Sequence, residues 1–336
     1  MGPHNNPVLV EVTRGDTVES VHHGAVAVVD DSGQVLESWG DVSFPVFPRS
    51  AIKPIQALPL IESGAADHFK LNDKRIALAC ASHSGEPHHV SEVLRWLKEL
   101  GLSNGDLECG AHAPKHKKAR ERLRLAEESP RAVHNNCSGK HTGFLCTAVY
   151  MGDETAGYIE ADHPAQVRVR ETIAELIGQA LDDATVAIDG CGIPTIAMPL
   201  QALAFGMARF GTGKGMDKQR AAAAERIRQA MVSEPVMVAG SDRFCTHVLR
   251  AAAGEVIVKT GAEGVFTAAV PGKRIGIALK IDDGHTRASE VATAALLRRF
   301  VEGKAFDYLN QICHKPVPNV VGKIVGEIRP AEDWLQ

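Results

Sequence analysis

Strand-like apolar runs stand in two groups, one opening the chain and one beginning at Glu255, with helical patterns between them. The first group is Val8 to Val12, Gly24 to Val29 and Val35 to Trp39. Asp30-Asp31-Ser32-Gly33 joins the last two, and such a turn between apolar runs predicts a hairpin. The second group is Glu255 to Lys259, Val265 to Val270 and Ile275 to Ile281, with Pro271-Gly272-Lys273-Arg274 as the turn joining its last pair. Helical spacing marks His88 to Leu100, where Val90, Val93, Leu94, Leu97 and Leu100 recur every three to four residues before Gly101. Ala165 to Leu181 repeats the pattern after Pro164, and Met198 to Phe210, Lys218 to Met231 and Ser289 to Val301 complete the helices. Strands at both ends with helices between them predict an α/β (α+β) fold: a mainly antiparallel sheet flanked by helices, plus a helical lobe. No Pro/Gly-rich linker divides the chain, so residues 1–336 read as a single domain.

Composition narrows the function classes. A hydrophobic share of 44% with 23% charged residues is that of a globular protein. A formal net charge of -4 argues against nucleic-acid binding, which needs a basic face to neutralise phosphates. The basic residues from Lys304 to Lys323 are dispersed and read as solvated surface. No window reaches the roughly 18 uninterrupted apolar residues of a membrane span. Met1-Gly2-Pro3-His4-Asn5-Asn6 lacks the basic and apolar regions of a secretory signal, so a cytoplasmic protein is expected. Seven cysteines spread over the chain make no disulfide framework; buried thiols or metal ligands are the better expectation.

Four segments could carry chemistry. In Arg49-Ser50-Ala51-Ile52-Lys53-Pro54, the serine and lysine stand about one turn apart, within reach of each other. A neutral lysine could take the serine proton, and burial favours that neutral form; as structure alone, the pattern is a capping serine and a solvated lysine. Pro54 disfavours helix at Lys53, which predicts an irregular turn ahead of the helix. Ser82 lies in Cys80-Ala81-Ser82-His83-Ser84-Gly85-Glu86-Pro87, read as a loop after a strand-like Ile76 to Ala79, with Ser84 or Glu86 available to cap the next helix. Lys259 opens Lys259-Thr260-Gly261-Ala262-Glu263-Gly264 at a strand end. A Lys-Thr-Gly downstream of Ser-x-x-Lys is the pairing of penicillin-binding proteins and serine β-lactamases.

The fourth segment, Asn135-Asn136-Cys137-Ser138-Gly139-Lys140-His141, is echoed by Asp189-Gly190-Cys191-Gly192-Ile193-Pro194. Two cysteines in polar, glycine-rich loops suit thiolate ligation of zinc, with His134, His141 and Asp189 all available as further ligands. Their other reading is buried free thiols. Cys80, Cys146 and Cys245 read as core, and Cys109 and Cys313 have no evident partner.

Together these segments resemble the rhizobial-type, or class 3, L-asparaginases, from the opening strands through Lys259 to Gly264. The resemblance implies a fold like that of serine β-lactamases, penicillin-binding proteins and glutaminases, and hydrolysis of L-asparagine to L-aspartate and ammonia. It implies two serine–lysine pairs, Ser50 with Lys53 and Ser82 with Lys259, and a homodimer. It also implies Zn2+ held by Cys137, Lys140 and Cys191, with Asp189 orienting them. Arg49 is the candidate for the substrate carboxylate. The rival readings are a cytosolic glutaminase, a β-lactamase- or peptidase-like amidase, and a non-catalytic zinc-binding ligand sensor.

Overall fold

The computed structural model describes residues 5–335. They form two compact units, between which the chain passes repeatedly. One holds the segment ending at Ala51, Met198–Thr212 and the segment from His247; the other holds Ile52–Ala197 and Gly213–Thr246.

The first unit is built on an eight-stranded sheet, antiparallel at every pairing. Its longest strand, Thr17–Asp30, pairs through its first half with Val8–Arg14. Its second half lies between Ile275–Ile281 and Val35–Trp39. Gly24 stands at the changeover because nothing larger fits: a Cβ there would lie 2.5 Å from the Lys280 carbonyl oxygen. Every residue of Val265–Val270 is buried, as in a strand covered on both faces. Helices Leu200–Thr212 and Thr286–Leu297 both pack on it. The first lies so close that a Cβ on Gly276 would come within 2.0 Å of the Ala204 oxygen.

The expected sheet with flanking helices is therefore present, and it extends further than the apolar pattern shows. Two strands near the C-terminus, Lys315–Pro318 and Ile324–Pro330, join it beside Val8–Arg14. Their prolines and Gly326 hide the pattern. Pro316 and Pro318 are tolerated because their strand is last in the order, where a missing backbone donor is harmless.

The second unit is helical apart from a short hairpin of Val186–Ile188 with Pro194–Ile196. Ile76 to Ala79 is not a strand: it belongs to the helix Asp73–Ala79, whose Arg75 N–H is capped by the Asn72 side chain. Three helices, Ser138–Met151, Lys218–Ser233 and Pro235–Val238, pack around it. A helix buried on all sides shows no 3.6-residue pattern. The helix from Pro164 ends at Ile177, four residues before Leu181, because Gly178 takes the left-handed stop conformation. Ser138–Met151 escapes sequence reading through its glycines, which instead set its packing. A Cβ on Gly139 would lie 2.3 Å from the Leu78 oxygen, so this helix can lie directly on Asp73–Ala79. That approach brings Cys137 and Lys140 beside the loop that carries Ser82.

Candidate active site

Ser50 sits in a 3-10 turn, Arg49–Ile52, that runs straight into a single α-turn, Lys53–Gln56. The irregular turn expected from Pro54 is there. Lys53 itself is nonetheless helical, because Pro54 falls in the first turn, where its missing N–H has no intrahelical acceptor to lose. Arg49 has φ +50°, a left-handed conformation that costs a residue with a Cβ about 1 kcal/mol. Within the sheet unit the Thr267 hydroxyl donates to the Ala51 oxygen at 2.8 Å. The Pro48 oxygen lies where a Cβ on Gly261 would be only 2.9 Å away. The Ser50 turn thus rests against the hairpin of Ile257–Thr260 and Val265–Val270. Lys259 belongs to that hairpin, is buried, and donates to the Thr260 oxygen at 2.9 Å.

In the helical unit Lys53 is 1% exposed and its ammonium finds three acceptors. They are the Ala81 oxygen at 2.5 Å, the Ser82 hydroxyl at 3.1 Å and the Cys137 sulfur at 3.1 Å. Of these, the Ala81 carbonyl can only accept, whereas the Ser82 hydroxyl can also act as a donor toward this nitrogen.

The Ser82 loop is held from two sides. Ser82 N–H donates to the Val238 oxygen at 3.0 Å and the Ser84 hydroxyl to the Ala239 oxygen at 2.9 Å. Glu86 accepts from both the N–H and the hydroxyl of Ser241, at 2.8 and 2.6 Å. On the other side His83 N–H donates to the Asn136 oxygen at 3.1 Å. The His83 Nδ1 accepts from Gly85 N–H, so its Nε2–H donates to the Ser138 hydroxyl at 2.9 Å. Burial, then the neighbouring His89 and Lys53 charges, hold the His83 pKa well below its usual value, so the ring is neutral.

Cys137 and Cys191 share a hydrogen bond, and Lys140, itself buried, donates to the Cys191 sulfur at 3.1 Å. The bond from Cys191, with the Lys53 and Lys140 charges, overcomes burial and drops the Cys137 pKa far below the thiol range. Cys191, as the donor and buried, is raised. Burial opposes the Lys140 charge, but the two sulfurs keep its pKa above the ordinary value. The sulfur pair thus lies between two buried lysines, Lys53 against Cys137 and Lys140 against Cys191. The donor set suits a borderline-soft metal: two thiol sulfurs and an amine nitrogen, converging from segments far apart in sequence.

The L-asparaginase II family model matches residues 10–330. The chain belongs to the L-asparaginase II family. Among curated proteins no relative matches it. Solved structures with remote likeness include Mglu in its native form, at 15% identity over 82% of this chain with a TM-score of 0.46. This chain spans 64% of the length of that one. A β-lactamase from Mycobacterium bovis is 14% identical over 83% of this chain and 95% of its own, with a TM-score of 0.43. D-alanine carboxypeptidase AmpC from Burkholderia cenocepacia is 14% identical over 82% and 93%, with a TM-score of 0.40.

In this L-asparaginase II chain, Lys53 meets Ser82, and Lys140 and Cys137 each meet Cys191. Ser50, Arg49 and Lys259 belong to the sheet unit. Asp189 is half-exposed in the turn before Cys191 and accepts from Gly190 N–H at 2.6 Å. The two histidines available as ligands are otherwise engaged at Nδ1. That of His134 accepts from Arg131 N–H, and that of His141 meets the Tyr158 hydroxyl at 2.7 Å. The Lys53–Cys137 contact and the supports from His83 and Glu86 are not visible in the sequence. Their only trace is the density of polar residues between Ser82 and His89.

Proposed function

We propose that the chain hydrolyses L-asparagine to L-aspartate and ammonia, with Ser50 as nucleophile and Lys53 as its base. The observation that carries this reading is Lys53, buried and hydrogen-bonded to the hydroxyl of the second candidate serine, Ser82. In its neutral form Lys53 takes the Ser50 hydroxyl proton while the oxygen bonds to the side-chain amide carbon of asparagine. The carbon–nitrogen bond then breaks, and the departing nitrogen receives a proton relayed through Ser82 and Lys259 to leave as ammonia. Water hydrolyses the resulting ester, and the proton it gives up returns to Ser50. Arg49 supplies the charge that faces a substrate carboxylate.

Cys137, Lys140 and Cys191 are the residues that would hold zinc, with Asp189 orienting them. The ion would supply positive charge for the amino-acid end of the substrate. Lys140 and Cys191 must each give up a proton to become ligands, so zinc uptake strengthens as pH rises. The family resemblance further supports a homodimer, and no helix among the described residues is long and apolar enough to cross a membrane.

Ammonia release from asparagine and from glutamine, each with and without zinc, tests the proposal. Faster release from asparagine is expected, with chelation raising KM more than it lowers kcat. No release from either amide would refute it.

A further inference from the structure

The helix Lys117–Leu125 buries only Ala119 and packs closely on no other helix or strand among the described residues. Beside it lies a cavity of about 250 Å³, closed on its far side by the helix Pro87–Glu99. That second helix explains the hollow. Its Val93, Trp96 and Leu97 are fully buried, whereas Val90 and Leu94 are half-exposed and face the cavity together with Leu123. Three aliphatic side chains around an unfilled space form a surface that water solvates poorly.

The rim is cationic. Arg122 and Arg131 both line the cavity, and neither guanidinium has an ion pair among the described residues. One carboxylate, Glu128, stands against the two. Guanidinium groups beside an apolar floor recognise a carboxylate whose tail is hydrocarbon.

The walls join the two loops of the candidate active site. Gly85, three residues after Ser82, lies on the cavity with φ +71°. His134, three residues before Cys137, lines the cavity beside it, its backbone oxygen 3.3 Å from where a Cβ on Gly85 would lie. The helix is tied to the same loop, because His116 N–H donates to the Ser84 oxygen at 2.9 Å.

We propose that this cavity binds a small aliphatic carboxylate, its head between Arg122 and Arg131 and its tail on Val90, Leu94 and Leu123. A ligand there bears on the Ser82 and Cys137 loops at once, which makes the cavity an effector site apart from the groups assigned to catalysis. Its occupancy does not depend on the asparaginase reading, so binding is measured without substrate.

Equilibrium dialysis of the full chain with radiolabelled hexanoate is the test. Saturable binding is expected with a Kd of about 1 mM, ordinary for so small a ligand. Its neutral counterpart hexanamide, and Arg131→Gln with hexanoate, should each bind at least about tenfold more weakly. Leu94→Trp fills the hollow and should abolish binding; Val90→Phe serves the same purpose if the first variant fails to fold by circular dichroism. Hydrogen exchange of amides in 117–126 should slow when hexanoate is present. Absence of binding up to about 20 mM, equal binding of acid and amide, or unchanged binding in a folded cavity-filling variant would each overturn the proposal.

Discussion

The two units solve burial in different ways. Around its central strands the sheet unit buries valine, isoleucine and alanine, as in Val265–Val270 and Ile275–Ile281. The helical unit buries Lys53, His83, Glu86, His89, Glu92, Lys140 and His141. A polar group taken out of water without a partner costs roughly 2–7 kcal/mol, and a charge costs more. The helical unit offsets this with specific partners: Arg75 bonds Glu92 at 2.9 Å and Glu99 at 2.5 Å, and Lys53 has its three acceptors. The sheet unit buries fewer such groups, among them Asp31 and Lys259, and is stabilised mainly by apolar area, which tolerates conservative exchange. The other depends on pairings that fail one at a time, and there substitutions should reach activity before they reach stability.

The sharpest way to break this contrast is Lys53→Met. It removes the proposed base, so kcat should fall by about 10³-fold or more, while urea denaturation shows a loss of only about 1–3 kcal/mol. Equal activity in the folded variant would end the assignment. In the sheet unit Ile277→Ala should do the reverse. Its buried side chain lies mid-strand, and its loss should cost about 2–5 kcal/mol with kcat per folded molecule unchanged.

Acid should distinguish the units next. Burial, with the His88 charge, lowers the His89 pKa to about 4, against about 6.5 in an unfolded chain. Between these values the unfolded state binds more protons. Stability is thus fully present above about pH 6.5 and falls toward pH 4, by about 3 kcal/mol for this one ring. His83 and His141, also lowered by burial, act in the same direction. Urea midpoints at pH 7.5 and pH 5 measure the drop, and His89→Gln should shrink it; an unchanged drop would contradict the role of His89. The smallest effect is Asn72→Ala, which removes a helix cap and should cost about 1 kcal/mol by the same denaturation.

Legibility follows the same division. Val35–Trp39, Val265–Val270 and Ile275–Ile281 have the bounds that their apolar runs suggest, because a strand between turns is punctuated at both ends. The helices Asp73–Ala79 and Ser138–Met151 lack such marks: one is buried all round, and the other carries the glycines that let the two touch. In the site, Ser50, Lys53, Ser82, Lys259 and the two cysteines stand out as motifs because their residue types imply chemistry. The bond from Lys53 to Cys137, 84 residues away, does not. It results from the close packing at Gly139, and local sequence does not encode which helix will lie there.

The most direct test is ammonia release from L-asparagine by the Ser50→Ala variant, measured beside the unaltered protein with both shown to be folded by circular dichroism. If Ser50 is the nucleophile, release should fall by at least about 10³-fold, to the uncatalysed background. Turnover near that of the unaltered protein would contradict the Ser50–Lys53 mechanism.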